Sequence, residues 1–178
     1  MEAMLELLDG GDLKPTSAAI AARAGVSERT LFQHFPDREA LFQGAALAQA
    51  ERIAPLIEPL PGVDAPLEER VRAFVAQRSR LLEKVSPVRR AALQMEPSSE
   101  TVAGWLRAVR SGAAAEIEHV FGPELARAGA DRDELLAALV AAAAWPTWES
   151  LRAHQGLSPE AAEAAMRRTL AALLGCSS

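Results

Sequence analysis

Residues 16–42 read Thr16-Ser-Ala-Ala-Ile-Ala-Ala-Arg-Ala-Gly-Val-Ser-Glu-Arg-Thr-Leu-Phe-Gln-His-Phe-Pro-Asp-Arg-Glu-Ala-Leu-Phe42. The stretch predicts two short helices joined by a tight glycine turn, followed by a third. Thr16 or Ser17 can cap the first helix, because a hydroxyl accepts an orphan backbone N–H. Pro15 sits just outside, where its fixed φ does no harm. Ile20, Ala21 and Ala24 share a face by their spacing. Gly25 ends the helix, since the residue past a helix favours the left-handed region that glycine enters freely. Ser27 can cap the second helix. Leu31 and Phe35, four apart, point back toward a core.

Ala21, Gly25 and Leu31 act as a set. A small residue lets two helices cross closely, the glycine turns the chain, and the leucine buries the second helix. This is the geometry of a helix-turn-helix, whose second helix lies in the DNA major groove. Glu28, Arg29, Gln33 and, in part, Thr30 and His34 then face away from the core. Arg29 suits a guanine edge and Gln33 an adenine edge. Glu28 can accept from a cytosine amine or repel wrong sequences. A bare helix-turn-helix pattern also occurs in helical proteins that never touch DNA, so a helical dimeric interaction module is the alternative reading.

The run Ile20 to Leu41 resembles the signature of the TetR family of transcriptional regulators, strongly over roughly the first 50 residues and only in architecture beyond. The resemblance implies an all-helical dimer with an N-terminal DNA-binding domain and a C-terminal ligand-binding domain. It places Ser17, Thr30, Phe32, His34 and Arg38 at phosphate-contacting or supporting positions. Ala18, Glu28, Arg29 and Gln33 fall at positions that often face bases, and Ser27 is grouped with the DNA-contacting set. Phe32 stands where a tyrosine is usual, losing a phenolic phosphate contact. Arg38 stands where a lysine is usual, which keeps the charge and permits a forked phosphate contact. The first helix gives barely two turns before Gly10-Gly11 and lacks a preceding basic arm, which raises the expectation of a truncated or misassigned start.

The chain has 178 residues, 49% hydrophobic and 4% aromatic, with no tyrosine. Alanine and leucine dominate the apolar content, which favours helix. No sustained period-2 run appears, so the predicted fold is all-α. It comprises an N-terminal three-helix helix-turn-helix domain over 1–54 and a helical ligand-binding and dimerisation domain over 55–178. The net charge of −5 sits oddly with DNA binding. Residues 1–54 carry Lys14, Arg23, Arg29, Arg38 and Arg52 against Glu2, Glu6, Asp9, Asp12, Glu28, Asp37, Glu39 and Glu51, a net −3, yet residues 14–38 alone are net +2. Phosphate affinity comes from local cations, so binding should be modest, salt-dependent and dimer-requiring.

Downstream, Asp37 can cap a helix to about Ala54. Pro55 to Pro66 reads as a linker. Helices are expected over Leu67 to Lys84, from Ser86-Pro87 to Met95, from beyond Pro97-Ser98 to Phe121, and briefly over Glu124 to Ala128. A long helix follows from Asp131 to His154, opened by an Asp131/Glu134 capping box and containing Pro146. A last helix starts at Ser158-Pro159 and ends at Gly175. The segments 131–154 and 158–175 carry small and apolar residues at helix-packing spacings. They are the expected homodimer interface, from Leu135, Leu136, Leu139, Val140, Ala143, Ala144 and Leu151 to Ala162, Ala165, Met166, Leu170, Leu173 and Leu174. Two recognition helices one DNA turn apart would read a near-palindromic operator in double-stranded DNA.

A small-molecule effector site is expected among Phe74, Arg78, Met95, Trp105, Trp145, Trp148 and Arg152. Pro146 would kink its helix and open a cavity beside two tryptophans. The mix suggests a largely apolar ligand with one polar group. Repression, released by such a ligand, is the family's usual mode. Catalysis is not expected. His34, His119 and His154 lie far apart, no i, i+4 metal pair accompanies them, and no phosphate loop or nucleophile elbow appears. No cofactor and no metal are called for. The lone Cys176 has no partner for an internal disulfide. No signal peptide is apparent and Leu135 to Trp145 is too short to span a bilayer, so a cytoplasmic protein without membrane contact is expected.

Overall fold

The structure, a computed structural model, describes residues 1–176, all of whose regular elements are helical. The helices are α1 (Glu2–Asp9), α2 (Ser17–Ala24), α3 (Glu28–His34), α4 (Arg38–Ile53), α5 (Leu67–Met95), α6 (Glu100–Val120), α7 (Gly122–Arg127), α8 (Arg132–Ala142), α9 (Trp145–Glu149) and α10 (Pro159–Leu173). One turn of π-helix, Ser150–His154, follows α9. No helix among the described residues is long and apolar enough to cross a membrane. The chain divides into two units: residues 1–55 with 84–107, and 56–83 with 108–178.

The first unit is built on Leu5, Leu8, Ile20, Ala21, Leu31, Phe42 and Ala45, joined by Val88, Ala92, Val102 and Leu106. Phe42 meets the edge of Trp105 at 5.6 Å between ring centroids. Ala24 is exposed rather than buried. α2 is only two turns long, and Ile20 and Ala21 alone face inward. Gly44 allows a close approach: a Cβ there would meet the Phe35 ring at 2.9 Å.

The second unit centres on Phe74, Phe121, Leu125, Leu139, Trp148, Met166 and Leu170. Leu139, Ala143, Ala162, Met166 and Leu170, named from sequence for a dimer seam, are buried in this unit's own core. Phe74 and Phe121 form an edge-to-face pair at 5.4 Å.

Three expected elements differ. Leu67 to Met95 is one helix, with Pro87 inside it, not two. A proline inside a helix costs about 3 kcal/mol, and the buried Leu82, Val88, Ala91 and Ala92 on either side offset that cost. The long helix through Pro146 does not form. α8 ends at Ala142, Ala144 is extended at φ −77°, ψ 155°, and Pro146 sits in the first turn of α9, where its missing N–H costs nothing. Pro146 therefore starts a helix instead of kinking one. Asp131 makes no side-chain capping bond, because the turn Gly129–Asp131 runs directly into α8. By contrast Thr16, Ser27, Asp37 and Ser158 all cap as expected.

Candidate nucleic-acid interface

The reading helix is positioned by local chemistry. Thr16 Oγ1 accepts from the Ala19 N–H at 3.1 Å and starts α2. Gly25 closes it at φ 68°, ψ 28°, with its N–H and that of Val26 returning to α2 carbonyls. Nothing lies within 4 Å of where a Gly25 Cβ would stand, so the constraint is backbone alone. Gly25→Val should cost about 1–2 kcal/mol, read as a lowered thermal midpoint. Gly62→Ala, in open space with no left-handed backbone, should leave the midpoint nearly unchanged.

Ser27 Oγ accepts from the Thr30 N–H at 3.1 Å and meets the Thr30 hydroxyl at 2.9 Å, so both are engaged at the start of α3. Leu31 anchors α3 in the core. Asp37 then accepts from the Ala40 N–H at 2.8 Å and starts α4. The other face of α3 is open. Glu28, Arg29, Phe32, Gln33 and His34 are exposed, as are Ala18 and Arg38, while Ser17 and Thr30 are half-buried. The polar side chains of Glu28, Arg29, Gln33, His34 and Arg38 have no hydrogen bond or ion pair among the described residues. Ten residues chosen for DNA contact thus fall in one continuous segment on α2, α3 and the start of α4.

The charge of this unit was only partly legible. Arg23 pairs with Glu6 at 2.5 Å, and Arg52 bridges Glu2 and Asp9, the latter at 3.0 Å. The acidic residues of α1 are thereby matched within the unit. Glu39 accepts from Ser99 at 2.5 Å and Thr101 at 3.0 Å. Within residues 1–55, the cations left without a carboxylate among the described residues are Lys14, Arg29 and Arg38, all within the segment that contains the reading helix. Separations of 17 and 50 residues hid these pairs from sequence inspection.

Residues 2–45 match the family model of the bacterial regulatory proteins, tetR family. The N-terminal domain of the chain is thus of the TetR type. No curated protein and no solved structure matches the chain. The TetR-type domain makes the chain a DNA-binding transcriptional regulator, and the family's members are regulators rather than enzymes.

The residues expected around an effector divide between the two units. Met95 and Trp105 belong to the first unit, where Trp105 packs on Phe42. Phe74, Arg78, Trp145, Trp148 and Arg152 belong to the second. There Trp148 is 0% exposed and donates its indole N–H to Glu83 at 3.0 Å. Arg152 forks onto the same carboxylate at 3.0 and 2.8 Å. Arg78 lies 5.0 Å above the Phe74 ring and bonds Glu116 at 2.6 Å. Burial lowers the Arg78 pKa against the pull of Glu116. Its Nε is buried with no partner among the described residues.

Sequence reasoning did not single out Arg70 and Glu124, the second unit's buried pair. Two nitrogens of Arg70 reach the two Glu124 oxygens at 2.8 and 2.7 Å. Arg70 also donates to the Val120 and Ala65 carbonyls at 2.8 and 3.1 Å. A charged residue on an otherwise apolar helical stripe, Arg70 beside Val71 and Phe74, was the available signal.

Proposed function

We propose that this regulator is a homodimeric repressor that leaves its operator when a small, largely apolar ligand binds the second unit. Residues 1–54 would read DNA, and residues 55–178 would bind effector and dimerise. The observation that carries the DNA-reading part is the open face of α3: Glu28, Arg29, Gln33 and His34 are exposed and have no partner among the described residues, and Lys14 and Arg38 meet no carboxylate there either. Arg29 is assigned to a guanine and Gln33 to an adenine. Ser17, Thr30, His34 and Arg38 are assigned to phosphates, with Ala18, Ser27 and Phe32 at the same surface.

Apolar side chains of α8 and α10 that the unit's own core leaves partly exposed support dimerisation: Leu135, Leu136, Val140, Leu173 and Leu174. Of the effector candidates in the second unit, Trp145 and Arg152 are the ones that the core leaves half-buried. The orphaned Nε of Arg78 supports a ligand with one polar acceptor. Binding would shift the population of dimers away from the spacing that fits two successive major grooves.

Enrichment of fragmented source DNA by the purified protein tests this reading. A near-palindromic site is expected. Lys14 and Arg38 on phosphates, four cations per dimer, give a slope of about −4 for log affinity against log salt. Arg29→Ala and Gln33→Ala should each relax preference at one base position, at a cost of about 1–3 kcal/mol on the preferred site. Failure to enrich any sequence would instead favour a helical interaction module.

A further inference from the structure

A cavity of about 400 Å³ opens beside the reading helix, within the first unit. Its buried wall is apolar, with Met4, Ile20 and Phe42 nearly inaccessible and Met95 half-buried. Its outer lining is different in kind. Lys14 and Arg38 are exposed there, neither side chain meets a carboxylate among the described residues, and the 43% exposed Phe32 ring lies on the same lining. The volume is in the range of small-molecule sites, about 300–1,000 Å³.

A DNA phosphate needs the two cations but not the apolar wall behind them. A purely apolar ligand would fill the wall and leave the cations unused. One chemistry uses both: an anionic head on an apolar chain. The guanidinium of Arg38 matches a carboxylate in a forked geometry, and Lys14 adds a second charge. The two methionines have flexible, unbranched side chains that adapt to a chain of variable shape.

We propose that this cavity binds a medium-chain carboxylic acid and that its occupancy excludes DNA. The inference rests on the DNA-binding reading of this face for its second half only. Lys14 and Arg38 serve either the carboxylate or a phosphate, and not both at once. Linkage then requires DNA to weaken acid binding by the same factor that acid weakens DNA binding. The site is separate from the effector candidates of the second unit, so the regulator would answer to two ligand chemistries.

Calorimetry on the full chain with sodium decanoate, below its micelle-forming concentration, tests the site without DNA. Decanoate should bind at least tenfold more tightly than butanoate or decanol. The double variant Lys14→Gln/Arg38→Gln, at exposed positions, should lose at least tenfold. Met95→Trp, which fills the cavity, should lose binding entirely, with circular dichroism melts checking that it folds. Absence of decanoate binding overturns the site, as does equal binding by the double variant, whatever DNA enrichment shows. On an enriched DNA fragment, decanoate should weaken binding at least tenfold at saturation. Decanoate that binds as described but leaves DNA affinity unchanged overturns the exclusion.

Discussion

Replacing Glu124 with alanine is expected to remove about 3–5 kcal/mol of stability, seen in urea unfolding at pH 7 as a lower midpoint with little change in slope. The size follows from what remains. Arg70 and Glu124 side chains are 4% and 5% exposed, and Glu124 accepts two bonds from Arg70 and one from Arg127 at 2.6 Å. Removing the carboxylate leaves a buried guanidinium with only the Val120 and Ala65 carbonyls. An intact buried pair contributes little beyond an apolar substitute, because desolvation offsets attraction; a broken one leaves an uncompensated charge. The paired substitution Arg70→Met/Glu124→Leu should therefore recover most of the loss. If the single and the paired variants are equally unstable, the pair is not the cause.

The same carboxylate gives a pH signature. Burial would push the Glu124 pKa up, but the bonds from Arg70 and the backbone, with the charges of Arg70 and Arg127, hold it below the ordinary glutamate value. The ionised form is then favoured by the folded state. Its contribution is fully present above about pH 4.3 and is lost as pH falls through the lower folded-state value. The stability gap between the parent chain and Glu124→Ala should narrow over that acidic window.

Local chemistry was legible in the sequence, and long-range pairing was not. Thr16, Gly25, Ser27 and Asp37 act within four residues of themselves, so their types alone placed α2, α3 and α4. The open face of α3 followed from period 3.6 once Leu31 was taken as the anchor. Pro87 and Pro146 show where local reasoning stopped. Each reads as a helix starter or breaker by type. Buried neighbours kept Pro87 inside α5, while Pro146 fell where Ala144 had already left the helix. The net −3 of residues 1–54 misled for a related reason. Whether Glu2, Glu6 and Asp9 repel DNA depends on Arg23 and Arg52, which only the folded chain brings to them. Likewise, rarity drew attention to the tryptophans together, but the fold distributes Trp105 and Trp148 to different units.

Trp148→Ala is expected to cost about 3–5 kcal/mol, while Trp148→Phe should cost roughly 1–2 kcal/mol. The two variants separate packing from hydrogen bonding. Alanine removes the largest side chain of a sealed core, where the surroundings relax only partly around the void. Phenylalanine keeps most of the apolar contact and loses the indole bond to Glu83. That carboxylate is 42% exposed and retains both bonds from Arg152, so water and arginine together compensate most of the lost donor. Urea unfolding of both variants at pH 7 checks the ratio. A void left by alanine and lined by apolar side chains should stay dry and accept a small apolar guest, so millimolar indole should raise the midpoint of Trp148→Ala and leave the parent chain unchanged. If Trp148 instead lined an open effector pocket, its truncation would expose no new void. Trp148→Ala would then cost little more than Trp148→Phe, and indole would distinguish nothing between the variant and the parent.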